Sequence, residues 1–141
     1  MYKIGIDLGG TKIEGVVLDY QNNEVIRQRI STEQEKGYEH ILRNIQTLVL
    51  HLTESLNDNY TLGIGTPGAI SRKTKLMKNS NTTCLNGRPI LKDLQSLLKR
   101  NIAIENDANC FAMAEAMLGA GKGYKSVFGV ILGTGCGGGI V

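Results

Sequence analysis

The chain has 141 residues, which suits one domain or one domain with part of a second. At that size folding buries roughly 68–70% of the unfolded surface, so a core needs no disulfide or metal staple. Sixteen basic and thirteen acidic side chains leave a net charge of +3, too mild a balance to make nucleic acid or an anionic membrane the main partner.

Eighteen glycines against two prolines place glycine at turns and close backbone approaches rather than in linkers. No apolar run approaches the ~18 residues of a membrane span. Met1 to Gly10 carries Asp7 within its alternation and lacks a basic segment with a cleavage site, so it does not read as a signal peptide. Cys84, Cys110 and Cys136 are far apart and form no Cys-x-x-Cys or Cys/His cluster, so reduced thiols are expected. These features predict a soluble, cytoplasmic protein.

In chain order, Tyr2, Ile4, Ile6 and Leu8 alternate with polar or small residues and predict a strand. Gly9-Gly10 marks a tight turn into a second strand over Ile13 to Leu18, the two forming a hairpin. Glu24 to Ile30 reads as a third strand. From Tyr38 the apolar residues Ile41, Leu42, Ile45, Leu48, Val49 and Leu52 follow helical spacing. Thr61 to Gly65 is a short strand running into Thr66-Pro67-Gly68. Residues 71–89 read as a long polar loop with a short hairpin near Leu76. Leu91, Leu94, Leu97 and Leu98 predict a helix with Pro89 near its start. Ile102 to Glu105 is a strand, Asp107 is read as the N-cap of a helix through Ala120, and Val127 to Leu132 is a final strand. It runs into Gly133-Thr134-Gly135-Cys136-Gly137 and the start of another strand.

The strand–glycine turn at Ile6 to Thr11 is echoed at Val130 to Gly135, as in a duplicated architecture whose second copy has barely begun. The Gly133-x-Gly135-x-x-Gly138 match to the dinucleotide fingerprint is rejected, because no helix and acidic residue follow it. There is no P-loop consensus. In Asp7-Leu8-Gly9-Gly10-Thr11-Lys12, the glycines let backbone N–H groups approach phosphate oxygens, with a hydroxyl and a cation beside them. Asp7, at the strand end, suits Mg²⁺ held through water. Glu105-Asn106-Asp107-Ala108-Asn109 lies where a strand meets a helix. There Asp107 is a candidate base for a sugar hydroxyl and Asn106 a hydrogen-bonding partner of the ring. A carboxylate is a weak base, but phosphoryl transfer demands mainly that the hydroxyl be positioned. His40 and His51, without metal-like partners, read as structural.

Taken in order, Asp7-x-Gly9-Gly10-Thr11-Lys12, Gly63 to Gly68, Asn79-x-Asn81, Glu105 to Asn109 and Gly133-Thr134-Gly135-x-Gly137 resemble the ROK family of sugar kinases and sugar-responsive repressors. The resemblance covers essentially the whole chain. The segment Lys78 to Gly87 looks most like the bacterial fructokinase/mannokinase branch, with N-acetylglucosamine kinase its near neighbour. The resemblance implies an α/β fold of the actin-like ATPase (ribonuclease H-like) type, a mixed sheet with flanking helices. Residues 1–120 would be its N-terminal domain and 121–141 the first hairpin of a second domain, so the chain reads as the N-terminal portion of a longer protein.

By the same resemblance Gly9, Gly10, Thr11 and Lys12 form the first phosphate loop, and Gly133, Thr134, Gly135 and Gly137 the second. Gly68, Asn81, Asn106 and Asp107 contact the sugar, with Asp107 the catalytic base. The implied reaction is ATP- and Mg²⁺-dependent phosphorylation of fructose or mannose at the 6-hydroxyl. The alternatives are N-acetylglucosamine or glucose as substrate, or a non-catalytic binding module. The implied partners are sugar and ATP, with neither nucleic acid nor membrane, in a homo-oligomer. Zinc is expected only if a further segment carries the family's Cys-rich motif. With only six residues before Asp7 in this sequence, the kinase branch of the family is expected rather than a repressor.

Overall fold

A computed structural model describes residues 1–56, 59–132 and 136–141. β1 (Tyr2–Leu8) and β2 (Lys12–Leu18) form an antiparallel hairpin in which Leu8 pairs with Ile13. β3 (Glu24–Ser31) continues antiparallel to β2, with a register shift at Val17/Leu18. The chain then crosses through α1 (Tyr38–Thr53) to β4 (Tyr60–Thr66), parallel to β1. A two-stranded ribbon, β5 (Ala69–Ile70) and β6 (Met77–Lys78), follows. A second crossover, α2 (Ile90–Leu98), leads to β7 (Ala103–Asn106), parallel to β4. The mixed sheet has the order β3-β2-β1-β4-β7.

Two periodicities build the core. Period 2 places Ile4, Ile6 and Leu8, Ile13 and Val17, and Leu62 and Ile64 on one face of the sheet. Helical spacing places Ile41, Ile45, Leu48 and Leu52 of α1 in one stripe, each fully buried, and α2 adds Ile90 and Leu94. Tyr38 ties the two helices together: its hydroxyl donates to Asp93 Oδ2 at 2.7 Å. The Arg88 guanidinium lies over the Tyr38 ring, 4.8 Å from its centroid. On the edge strand β3, Arg27 and Arg29 pair with Glu14 of β2, and Arg27 also pairs with Glu24. Charge on an edge discourages pairing with another chain.

The opposite face of the sheet is built small, with Gly5, Gly63, Gly65 and Ala103 along its centre. Beside α3 (Asp107–Leu118) they leave a cleft of about 780 Å³. A last hairpin, β8 (Phe128–Leu132) and β9 (Cys136–Ile140), packs on α3. Gly139 permits that approach. A Cβ there would run into the backbone of Ala108, in the first turn of α3. Among the described residues no helix is long and apolar enough to cross a membrane.

The expected elements are present, with three differences. The short hairpin expected near Leu76 is present as β5 and β6, but the rest of 71–89 is more than a loop, because Met77 N–H bonds to Arg88 O and Gly87 N–H to Met77 O, which ties β6 to the segment before α2. Helix α3 stops at Leu118, where Gly119 leaves helical geometry. Its N-cap is Asn106 and not Asp107. Asn106 is extended (φ −63°, ψ 140°) and its side chain accepts from Ala108 N and Asn109 N, so Asp107 is already the first helical residue.

Two measurements check this packing. Leu48→Ala empties a fully buried site and is expected to cost about 2–5 kcal/mol in urea unfolding; a cost below about 1 kcal/mol contradicts the assigned core. Phe128, Leu132 and Ile140 of the hairpin and Met117 and Leu118 of α3 are exposed. The 141-residue chain is therefore expected to self-associate as concentration rises, and a monomer throughout in light scattering contradicts this.

Candidate active site

The site is built by parallel register. Because β1, β4 and β7 run in one direction, their carboxyl ends meet at one edge: Asp7 is level with Gly65, Gly65 with Glu105, and Thr66 with Asn106. Neighbouring strands lie about 4.8 Å apart, so Asp7 and the Glu105–Asp107 corner flank a single strand end. Ligands of open α/β sheets bind at such carboxyl edges.

On the β1 side, the turn after Asp7 is buttressed from beneath. Gly9 N–H bonds to Lys12 O at 3.0 Å and closes it. The buried Thr32, just past the end of β3, holds it, its Oγ1 donating to Gly9 O at 2.7 Å and its N–H to Thr11 O at 2.9 Å. The side chains of Thr11 and Lys12 are left exposed at the mouth. Thr32 was not visible as a site residue in the sequence, since a threonine 23 positions away carries no spacing signal.

On the β7 side, one side chain organises the corner. Asn106 Oδ1 accepts from Ala108 N at 3.1 Å and Asn109 N at 3.4 Å, while its Nδ2 donates to Gly68 O at 3.1 Å. Glu105 Oε1 accepts from Asn106 N and from Asn109 Nδ2. Asp107 is exposed, with Oδ1 accepting from Ala108 N at 2.7 Å. Gly68 is buried at a close approach. A Cβ there would lie 2.7 Å from Lys78 O and 3.0 Å from Ser80 N, so a larger residue would displace the segment leading to Asn81.

That segment is closed on itself: Asn86 Oδ1 accepts from Ser80 N and Asn86 Nδ2 donates to Ser80 O, both at 2.9 Å. Asn79 takes a left-handed conformation (φ 57°), and the Asn81 side chain is exposed. Gly137 of β9 lies beside Ala108, in the first turn of α3. Gly133, Thr134 and Gly135 lie outside the described residues. The structure thus gathers Asp7, Gly9 to Lys12, Gly68, Asn81, Asn106, Asp107 and Gly137 around one edge.

Electrostatics single out Asp7. Desolvation by the cleft walls, then the carboxylates of Asp107 and Glu14, hold its pKa above the ordinary carboxylate value, with Lys12 opposing. A partly desolvated carboxylate with a second acidic group near it is a donor set suited to Mg²⁺, which binds through one or two carboxylates, waters and substrate phosphates. Burial, and then the carboxylates of Glu105, Asp107 and Asp7, push the Cys110 thiol up, so it is not an activated nucleophile.

A glycine turn facing an acidic strand-to-helix corner, at the carboxyl edge of a mixed sheet, is thus the candidate site of this α/β fold. The chain matches the ROK family over residues 3–141 and belongs to it. It is 40% identical over 137 residues to an N-acetyl-D-glucosamine kinase of Haemophilus influenzae, covering 97% of this chain and 45% of that protein. It is also 40% identical over 136 residues to an N-acetylgalactosamine kinase of a Shewanella species, covering 96% and 44%. Among solved structures, a ROK family glucokinase from Streptomyces griseus in complex with glucose and AMPPNP superposes over 100% of this chain and 44% of its own. That match has a TM-score of 0.87 and 30% identity. An inorganic polyphosphate/ATP-glucomannokinase from an Arthrobacter species matches 99% and 58%, with a TM-score of 0.83 and 31% identity. The fold is that of the actin-like ATPases, and the chain spans less than half the length of these curated relatives.

Two variants test the site. Asn106→Asp keeps the capping oxygen but sets a carboxylate against Gly68 O. Its thermal stability is expected to stay within about 0.5 kcal/mol as far as the cap is concerned, with sugar affinity falling; unchanged affinity contradicts the role of the amide. Because the pKa of Asp7 is raised on folding, its stabilising share is complete below the ordinary carboxylate pKa and is lost as pH rises through the folded value. Asp7→Asn should therefore raise Tm of the ligand-free protein at pH 7, with the gain vanishing in acid. A lower Tm at pH 7 contradicts the repulsion.

Proposed function

We propose that this chain is the N-terminal part of a cytoplasmic, homo-oligomeric ATP-dependent hexose kinase. Residues 1–120 form its N-terminal domain and 121–141 open a second one. The observation that carries the reading is the shared edge: the Asp107 carboxylate and the Gly9 to Lys12 turn flank the end of one strand, with the two acidic groups in electrostatic contact.

In this reading Asn81, Asn106 and the Gly68 segment orient the sugar so that its 6-hydroxyl meets Asp107. The hydroxyl proton passes to the Asp107 carboxylate as the oxygen bonds to the terminal phosphorus of ATP and the bond to the ADP oxygen breaks. The backbone N–H groups of Gly10 and Thr11, with Lys12, face the phosphates, in a turn that the Gly9 N–H closes on Lys12 O, and Gly133, Thr134, Gly135 and Gly137 form the second cradle. Mg²⁺, when held by Asp7 through water, neutralises phosphate charge. Two relatives at 40% identity act on N-acetylhexosamines by name, and a structural neighbour is a glucokinase. An N-acetylhexosamine or glucose is therefore favoured as substrate over fructose or mannose.

The test uses the complete gene product with ATP and a panel of N-acetylglucosamine, N-acetylgalactosamine, glucose, mannose and fructose. The expected result is Mg²⁺-dependent ADP release, strongest with an N-acetylhexosamine or glucose. Asp107→Asn should lower kcat by about 10²–10⁴ while sugar Kd changes little; wild-type-like turnover contradicts the base assignment.

A further inference from the structure

The loop that presents Asn81 is almost fully satisfied internally. Ser80 Oγ donates to Thr82 O and accepts from Thr82 N, both at 3.1 Å, and Leu85 N–H closes on Thr82 O at 3.0 Å. Asn86 grips Ser80 at both ends. One group breaks the pattern. The Thr82 hydroxyl is buried, in a residue 1% exposed, and has no hydrogen-bond partner. A buried hydroxyl without a partner destabilises a fold, so each such group calls for a reason.

The surroundings of that hydroxyl supply one. It lies 3.5 Å from the place a Cβ would occupy on Gly10, with Gln34 Nε2 3.6 Å from the same point. The orphan is thus aimed across a methyl-sized gap at the middle of the phosphate turn. That turn is fixed by Thr32 at its flanks, through the carbonyls of Gly9 and Thr11. Gln34 is held to the loop in turn, its carbonyl accepting from the Cys84 thiol at 3.9 Å. The Arg88–Tyr38–Asp93 contacts anchor the far end of the loop on α1 and α2. The loop body is therefore pinned, and Thr82 is the side chain through which it faces Gly10.

We propose that Thr82 is a positioning residue that couples the two loops: with both ligands bound, its hydroxyl takes up a hydrogen bond with the main chain at Gly10, so that a sugar beside Asn81 tightens the phosphate turn. This rests on the kinase reading above. The free protein carries an unmade hydrogen bond, and the doubly liganded protein makes it. Free energy is then shared between the two sites, and each ligand raises the affinity for the other by the same factor.

The experiment is calorimetric titration of N-acetylglucosamine into the complete gene product, alone and with a saturating non-hydrolysable ATP analogue. In the wild type the nucleotide analogue is expected to tighten sugar binding by roughly fivefold or more. In Thr82→Val, which keeps the shape and removes the hydroxyl, that factor falls to near one. Sugar affinity without nucleotide stays at the wild-type value, and the ligand-free Tm is equal to or above wild type. Thr82→Ser restores the coupling. A valine variant with the full wild-type factor overturns the proposal, as does one that loses sugar binding or Tm outright, since that marks a merely structural threonine. A wild type that binds both ligands with no coupling overturns it while leaving the kinase reading intact. A wild type that binds neither ligand overturns the kinase reading and the coupling with it.

Discussion

The site depends on one amide. Asn106 ends a parallel strand, caps the helix that carries Asp107, and donates to the carbonyl of Gly68. A backbone-capping oxygen and a donor NH₂ on one short side chain are what this corner requires. Asp offers no donor, and Ser lacks the second arm. Through that side chain the position of the candidate base, the start of α3 and the approach of the Lys78 to Asn81 segment become a single geometric constraint. Parallel register then brings Asp7 and the phosphate turn to the same edge.

The placement has a physical cost that the function uses. Desolvating Asp7 in the cleft, and then gathering Asp107 and Glu14 near it, raises its pKa, an arrangement that a fold selected for stability alone would avoid. In the proposed function the same carboxylates favour a dication, and it is the dication that offsets the charge of the phosphates. The buried, unpaired hydroxyl of Thr82 is a second local loss at the same edge. Both sit beside turns rather than in the core, where Ile45, Leu48 and Leu52 pack without polar interruption.

Much of this was legible in the sequence. Alternation in β1 and β2 and the helical stripe of α1 lie on long, well-patterned segments with one apolar face, so their elements fall within a residue or two of expectation. The order of the glycine and acidic motifs placed Asp7, Asn106 and Asp107 together. The N-cap was misassigned because Asp and Asn cap equally well. Only backbone geometry shows that Asn106 is extended and Asp107 helical. Residues 71–89 were harder still. β5 and β6 are two residues each, β6 is tied to Arg88 and Gly87, and the Ser80 segment after it to Asn86, contacts that no periodicity announces. Thr32 and Thr82 likewise matter through partners far away in sequence, the first by bonding the phosphate turn and the second by facing it.

The central claim is that sugar and phosphate meet at the carboxyl edge of β1, β4 and β7. Its most direct test is a crystal structure of the complete gene product with N-acetylglucosamine and a non-hydrolysable ATP analogue. The account predicts the sugar 6-hydroxyl within hydrogen-bonding distance of the Asp107 carboxylate and the terminal phosphate over the Gly9 to Thr11 turn. A sugar bound away from Asn106 and Asp107, or phosphates held elsewhere, would contradict it.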